Sequence, residues 1–133
     1  MEKNFDKWSS RKKKIHARSE KMLFHEREIW WCALGVNIGF EQDGKNHDFE
    51  RPVIIFRKFN NEVCLALPIT TRAKNGKFYF TYDHDERQFS IILSQIRLID
   101  AKRLLRKIRT LSRKEFSQLN QVFESLLKQT TPQ

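Results

Sequence analysis

The sequence predicts a mainly β fold, a small and strongly curved barrel with a basic helix before it and an amphipathic helix after it. Short runs of β-branched and aromatic residues fill the middle of the chain, with turn-forming residues between them. No helical pattern separates these runs, and this favours antiparallel neighbours in a small barrel. The last third instead repeats apolar residues at three- and four-residue intervals, which is typical of a helix.

The first 24 residues differ in character from the rest of the chain. Four consecutive cations occupy positions 11–14, among apolar residues at roughly helical intervals: Phe5, Trp8, Ile15, Met22 and Leu23. The pattern predicts a basic, helical arm at 1–24, appended to a domain at 25–133. An isolated helix of this length is marginal, so a partly disordered tail is the alternative. An interaction arm is favoured.

Five apolar runs predict five strands, at residues 29–34, 53–56, 63–69, 78–82 and 89–93. Asn60-Asn61 and Asn75-Gly76 lie between runs, and both residue types tolerate the positive φ of tight hairpin turns. The following segment, 96–105, is too charged for a core strand and predicts an edge strand mixed with a helical turn.

The predicted C-terminal helix begins at Ser112. Ser112 and Glu115 have the spacing of a capping box, in which the serine accepts from an amide and the glutamate reaches back to the cap. The apolar residues that follow form one stripe, which must pack on the barrel or on a second subunit. They are Phe116, Leu119, Val122, Phe123, Leu126 and Leu127.

Composition limits the partners of the protein. The 133 residues are enough for one domain, and 26 Lys and Arg against 16 Asp and Glu give a formal charge of +10. Such a charge favours a polyanion, either nucleic acid or an anionic membrane. No apolar run could span a bilayer and no signal core follows the N-terminal charges, so the sequence predicts a cytoplasmic protein with no membrane partner.

Cysteine and histidine placement gives little sign of a metal site. Cys32 and Cys64 each lie in an apolar run, which predicts buried, reduced thiols. The four histidines are scattered, and the Asp-His-Asp-Glu run at 83–86 reads equally well as an acidic hairpin tip. No metal is therefore expected.

Four segments, in register over roughly residues 27–127, resemble the MazF/PemK family of toxin endoribonucleases from type II toxin–antitoxin systems. They are a loop at 35–42 ending in Gly-Phe-Glu-Gln, the Arg-Pro strand at 51–55, Leu-Pro-Ile-Thr-Thr at 67–71, and a segment at 94–104 containing Gln-Ile-Arg-Leu-Ile-Asp. The resemblance implies the SH3-like barrel of MazF, PemK and CcdB. It also implies a homodimer and no cofactor.

The same resemblance implies a catalytic set of Arg51, Thr70 and Glu41 for cleavage of single-stranded RNA by the 2′-hydroxyl. The arginine fork binds phosphate oxygens bidentately and stays charged, and a threonine hydroxyl can donate to a non-bridging oxygen. We expect Thr70 near Arg51 across the sheet, with Thr71 as its competitor, and Glu41 against Arg51 in an orienting role. Composition alone would make Arg51 a solvated strand-end cation.

Further residues in these segments are expected to contact RNA. Phe40 is interpreted either as a base-stacking ring or as a core plug, and Arg97 as a structural residue paired with an acid. Phe40 and Ser94 replace the histidine and aspartate of Kid-like members, so the proton acceptor is unassigned. The expected RNA contacts are Phe40, Gln42, Thr71, Arg72, Gln95 and Arg97.

Two classes of function remain open. The first is a sequence-selective endoribonuclease toxin, whose partners would be single-stranded RNA and a cognate antitoxin with an acidic, disordered tail. The second is a non-catalytic SH3-like barrel that binds nucleic acid or inhibits a protein target such as gyrase, as CcdB does. The presence of Arg51 together with Thr70 favours the nuclease.

Overall fold

The computed structural model describes residues 2–20, 22–72 and 74–129, which form an antiparallel sheet with a helix at each end of the chain. This mainly β architecture with two terminal helices is the predicted fold class. In chain order the elements are α1 Phe5–His16, β1 Glu28–Ala33, β2 Glu50–Lys58, β3 Val63–Thr70, β4 Tyr79–His84, β5 Arg87–Ile92, β6 Arg97–Asp100, β7 Leu104–Thr110 and α2 Arg113–Lys128.

The strand β3 is the centre of the sheet. The strand order is β4-β5-β3-β2-β1-β7, and β6 pairs with β3 off this path. The first half of β3 pairs with β6, Val63 opposite Asp100, whereas its end pairs with β5, Thr70 opposite Ser90. Because β3 changes partner along its length, the sheet splits there into two parts. The start of β2 and the end of β3 lie side by side at this split.

Both faces of the central strands are covered. Val53 and Ile55 of β2 point into one core, which Phe24 also joins, while Ile54 and Phe56 point into a second core beneath α2. A strand buried on both faces is a continuous apolar run rather than an alternating one, which is why the sequence showed it so clearly.

The predicted basic helix is present, but it is shorter than residues 1–24. Asn4 caps α1 by accepting from the Lys7 amide, and the helix ends at His16. Trp8 and Ile15 are buried in a small cluster with Ala33 of β1, and the Trp8 ring lies 5.5 Å from that of Phe49. The described part of the segment is therefore a docked structural element rather than a free tail.

Sequence reasoning missed β7 and misplaced one turn. β7 carries several cations and pairs with β1 at the edge of the sheet, so its outward side chains hide the strand pattern. The edge strand and helical turn expected at 96–105 are confirmed as β6 and a 3₁₀ turn, Ala101–Arg103. Asn75-Gly76 closes no hairpin, because β4 pairs with β5 and not with β3. The hairpin of β4 and β5 turns at Asp85 and Glu86, which both have positive φ. Residues 83–86 are therefore the acidic hairpin tip.

The helix α2 packs on its own barrel. Ser112 accepts from the Glu115 amide at 3.1 Å and donates to the Glu115 carboxylate at 3.0 Å, a variant of the predicted capping box. Leu119 is fully buried, and the Phe123 ring lies 4.9 Å from that of Phe56. Phe116, Phe123 and Leu126 pack there as well, whereas Val122 and Leu127 of the predicted stripe are exposed.

The two thiols are free and buried, as predicted. Burial raises the pKa of both Cys32 and Cys64 to about 12. In the described part of the chain, no helix is long and apolar enough to cross a membrane.

Candidate functional site

Arg51 lies at the start of β2, where two backbone carbonyls hold its side chain. Its Nε donates to the Asp43 carbonyl at 2.7 Å and its Nη1 to the Ile69 carbonyl at 3.3 Å. A guanidinium has five N–H donors. The protein therefore orients Arg51 through two of these donors, and the remaining N–H groups can bind a ligand.

Arg51 and Thr70 line the same pocket, as expected. In the β2–β3 register Val53 lies opposite Pro68, which brings the start of β2 beside the end of β3. The resulting cavity of about 180 Å³, the Arg51 pocket, also contains Thr71 and Arg72. Its other lining residues are Trp31, Lys45, Asn46, Glu50, Pro52, Ile69 and Phe89.

The Thr70 hydroxyl is positioned by the turn that follows it. Its Oγ1 accepts from the Arg72 amide at 3.2 Å. A hydroxyl that accepts one bond can still donate its proton. Thr70 can therefore donate to an anion in the pocket.

The electrostatics of the pocket favour an anion. Burial lowers the pKa of Arg51, Asp43 opposes that change, and the neighbouring Arg72 lowers the pKa further. A guanidinium remains charged in spite of such shifts. The pocket thus holds a partly desolvated cation beside a second cation, and an oxyanion would stabilise both.

Glu41 does not lie against Arg51, which differs from the orienting contact expected. Its carboxylate accepts from the Ile38 amide at 2.9 Å and so closes its own loop. The Asp43 carbonyl orients Arg51 instead, and Asp43 is the acid whose charge acts on its pKa. The short loop brings residue 43, rather than residue 41, to the start of β2.

Glu41 and Gln42 line a neighbouring cavity of about 430 Å³, the Gln95 pocket. Gln95 connects its walls, because its Oε1 accepts from the Gln42 amide and its Nε2 donates to the Phe40 carbonyl, both at 3.3 Å. Ser94 and Arg97 complete the polar lining. Apart from Phe40, the predicted site residues thus divide between two cavities, which the loop at 37–43 joins.

Two of the expected RNA contacts can now be interpreted more narrowly. Phe40 is 99% exposed, which excludes the core-plug interpretation and leaves a ring able to stack on a base. Arg97 was expected to pair with an acid, but it makes no ion pair within the described residues and lines the Gln95 pocket. Its fork is therefore available to a ligand.

Sequence reasoning missed the pair formed by Glu50 and Arg106. Glu50 is only 8% exposed, and its two oxygens accept from Arg106 at 2.9 and 3.0 Å. The bonds to Glu50 raise the pKa of Arg106, whose guanidinium lies 5.1 Å from the Trp31 ring. Glu50 lines the Arg51 pocket, and Arg106 holds its carboxylate in place there. The only signal in the sequence was an acid directly before Arg51.

Lys3 was also missed, and no local pattern marks it. Its Nζ donates to the carbonyls of Asn37 and Gly39 and lies 3.0 Å from an Asp43 carboxylate oxygen. Lys3 therefore fastens the loop at 37–43, whose last residue orients Arg51.

Metal ligands are not clustered in the parts of the chain that the structure describes. No group of three or more His, Cys, Asp or Glu side chains there could hold an ion.

Comparison with known proteins identifies a family for the chain and solved structures that share its fold. The model of a family described as PemK-like, MazF-like toxin of type II toxin–antitoxin system matches residues 25–127. No curated protein matches the chain at a significant level.

Several solved structures share the fold. MazF from Deinococcus radiodurans superposes with a TM-score of 0.63 at 17% identity, covering 81% of this chain and 99% of its own. Toxin MazF-mt6 of Mycobacterium tuberculosis gives 0.60 at 17% identity, covering 79% and 100%. An endoribonuclease from Mycobacterial species, solved with its cognate antitoxin, gives 0.58 at 12% identity, covering 83% and 100%.

Proposed function

Because the chain belongs to the PemK-like, MazF-like toxins of type II toxin–antitoxin systems, we propose that it is a sequence-selective endoribonuclease of the mRNA interferase type, acting on single-stranded RNA. The observation that carries the proposal is that Arg51 and Thr70 line one cavity. Two carbonyls hold the Arg51 guanidinium in place, and its remaining N–H groups can donate to the oxygens of a phosphate.

The proposed reaction is an internal transesterification that needs no metal. The RNA 2′-oxygen attacks the adjacent phosphorus and loses its proton, and the bond from phosphorus to the 5′-oxygen breaks. The products are a 2′,3′-cyclic phosphate and a 5′-hydroxyl, whose oxygen takes up a proton. Arg51 stabilises the additional negative charge of the phosphorane, and Thr70 donates to a non-bridging oxygen.

Base recognition is assigned to the neighbouring cavity and to the exposed ring. Phe40 offers a face on which an unpaired base can stack, and Gln95 and Arg97 offer hydrogen bonds to base edges. Thr71 and Arg72 lie beside the scissile position and contact the backbone. Glu41 and Gln42 hold the loop between the two cavities.

The partners follow from the family. We assign to this protein a homodimeric state, a cytoplasmic location and a cognate antitoxin with an acidic disordered tail. A mycobacterial endoribonuclease and a MazF from Deinococcus radiodurans of this fold were solved together with an antitoxin, the latter with MazE. The +10 charge suits an acidic tail as well as RNA.

One observation keeps a non-catalytic binding module as the second candidate. Glu50 is the single carboxylate among the described residues that line the Arg51 pocket, and Arg106 occupies both of its oxygens. A module that binds RNA without turnover would need Arg51 but no proton acceptor. A gyrase inhibitor would need neither Arg51 nor Thr70.

The test is cleavage of a long, unstructured RNA in excess EDTA, followed by analysis of the new ends. The proposal predicts cutting at a restricted set of sites, with 2′,3′-cyclic phosphate and 5′-hydroxyl ends. Binding without cutting would support the non-catalytic module. Cutting that EDTA abolishes and a divalent ion restores would contradict the metal-independent chemistry.

A further inference from the structure

We propose that a cleft between α1 and the loop at 44–49 binds RNA phosphates beyond the scissile position. This inference rests on the proposed function and adds to it a second binding site. The site lies partly on residues before position 25, outside the region that matches the family. It would therefore be a device of this chain's N-terminal extension.

Three cations line one wall of the cleft. Lys7, Arg11 and Lys14 occupy positions i, i+4 and i+7 of α1, so they lie on the same face of the helix. The cleft has a volume of about 380 Å³ and is otherwise lined by Asn4, Ser10, Asn46, His47 and Phe49. Apart from Phe49, the lining side chains are polar or cationic, which suits a phosphate.

Two of these three cations have no acidic partner in the described part of the chain. Arg11 pairs with Asp48 at 3.4 Å, whereas Lys7 and Lys14 make no ion pair within the described residues. The Arg11 Nε is buried and lacks a hydrogen-bond partner. A buried donor without an acceptor is costly. The Arg11 side chain as a whole is 28% exposed, so its guanidinium can still contact a phosphate in the cleft.

The cleft is preformed rather than assembled by the ligand. The face of α1 that adjoins the cleft is anchored by the buried side chains of Trp8 and Ile15. The opposite wall is fixed because the Lys45 and Glu50 backbones exchange two hydrogen bonds of 2.8 Å. A rigid cationic site binds with little ordering cost.

The cleft continues into the Arg51 pocket. Asn46 lines both cavities, and its neighbour Lys45 lines the Arg51 pocket. A strand whose scissile phosphate lies at Arg51 can therefore run past Asn46 into the cleft. This continuity favours RNA over a separate acidic protein as the occupant, because the polymer already bound at Arg51 supplies the next phosphates.

The experiment compares two double variants that each remove two positive charges. Lys7→Ala/Lys14→Ala changes the cleft, whereas Lys13→Ala/Lys114→Ala changes two exposed cations outside it and serves as the control. Alanine retains helix propensity at each position. The probe is a 16-nucleotide, fully 2′-O-methylated single strand, which cannot undergo 2′-hydroxyl attack, and its affinity is measured at several salt concentrations.

We expect the cleft variant to bind more weakly, with a slope of log affinity against log salt that is lower by about 1.4, at roughly 0.7 per lost phosphate contact. The control variant should keep the wild-type slope. Equal slopes in the two variants would overturn the subsite. So would a cleft variant that loses affinity for a Glu-rich 16-residue peptide but not for RNA, because the cleft would then serve a protein.

The two levels of the proposal fail separately. If wild-type protein cuts RNA while the cleft variant matches the control, the subsite is refuted and the endoribonuclease function stands. If wild-type protein neither binds nor cuts RNA, the proposed function is refuted and the subsite with it.

Discussion

Replacing Trp8 with alanine should detach the N-terminal extension from the domain. The Trp8 side chain is only 6% exposed, and its ring lies 5.5 Å from Phe49. The ring also covers Gly35, where a Cβ would lie 2.0 Å from the indole. Arg103 stacks on it at 5.7 Å. Trp8 and Ile15 are the two buried side chains of α1, and Trp8 is the larger.

The magnitude follows from this burial. Removing a buried Trp side chain costs about 3–5 kcal/mol. The remaining anchors of the segment include Ile15, worth about 1.5–3 kcal/mol when fully buried, and the partly exposed pair of Lys3 with Asp43. Arg18 also donates to the Lys102 and Leu104 carbonyls. The lost contact is comparable to these, so the extension should undock. The loss of global stability is then limited to the free energy that docking had contributed.

The assay combines urea unfolding with limited proteolysis by trypsin. The Trp8→Ala variant should lose about 3 kcal/mol of unfolding free energy, and trypsin should cut at 11–14 in native buffer. Leu23→Ala is the control, because Leu23 is 72% exposed and a surface change is worth about 0.5 kcal/mol or less. Wild-type stability and unchanged protease resistance in Trp8→Ala would refute the docking argument.

Three further outcomes are expected. Lys3→Met should lower kcat about tenfold or more with the fold intact, because a misplaced loop at 37–43 shifts Arg51; wild-type kcat would exclude this coupling. Burial raises the pKa of Cys32, Cys64 and Tyr82 to about 12, so the folded state holds these protons more tightly than the unfolded state. The unfolding free energy should therefore fall as the pH rises from about 9 towards 12. An unfolding free energy that stays constant over this range would contradict the argument. Ser112→Ala should cost about 1 kcal/mol in urea unfolding through loss of the α2 cap.

The parts of the fold that sequence predicted are those encoded by local pattern. The buried strands β2 and β3 are continuous apolar runs, and Ser112 marks the start of α2. The sequence did not predict β7, because an edge strand carries charged residues that interrupt its apolar pattern.

The site divides in the same way. The proximity of Arg51 and Thr70 follows from adjacent antiparallel strands, which a motif can indicate. The contact of Lys3 with Asp43 spans 40 positions and joins the segment before α1 to a distant loop, which requires the docked position of α1. Glu41 was assigned to Arg51 from its motif, but the path of the loop gives that place to Asp43. Contacts that depend on tertiary packing have no sequence period to reveal them.

The most direct test of the central claim is the single-turnover rate of RNA cleavage by Arg51→Ala. Loss of a donor to the developing charge costs about 3–4 kcal/mol, so the rate should fall at least about a hundredfold. Arg51→Lys should recover only part of it, because a point charge lacks the bidentate fork. Arg113→Ala, at an exposed position of α2, is the control and should cut at the wild-type rate. A folded Arg51→Ala protein that cleaves within a few-fold of wild type would contradict the account.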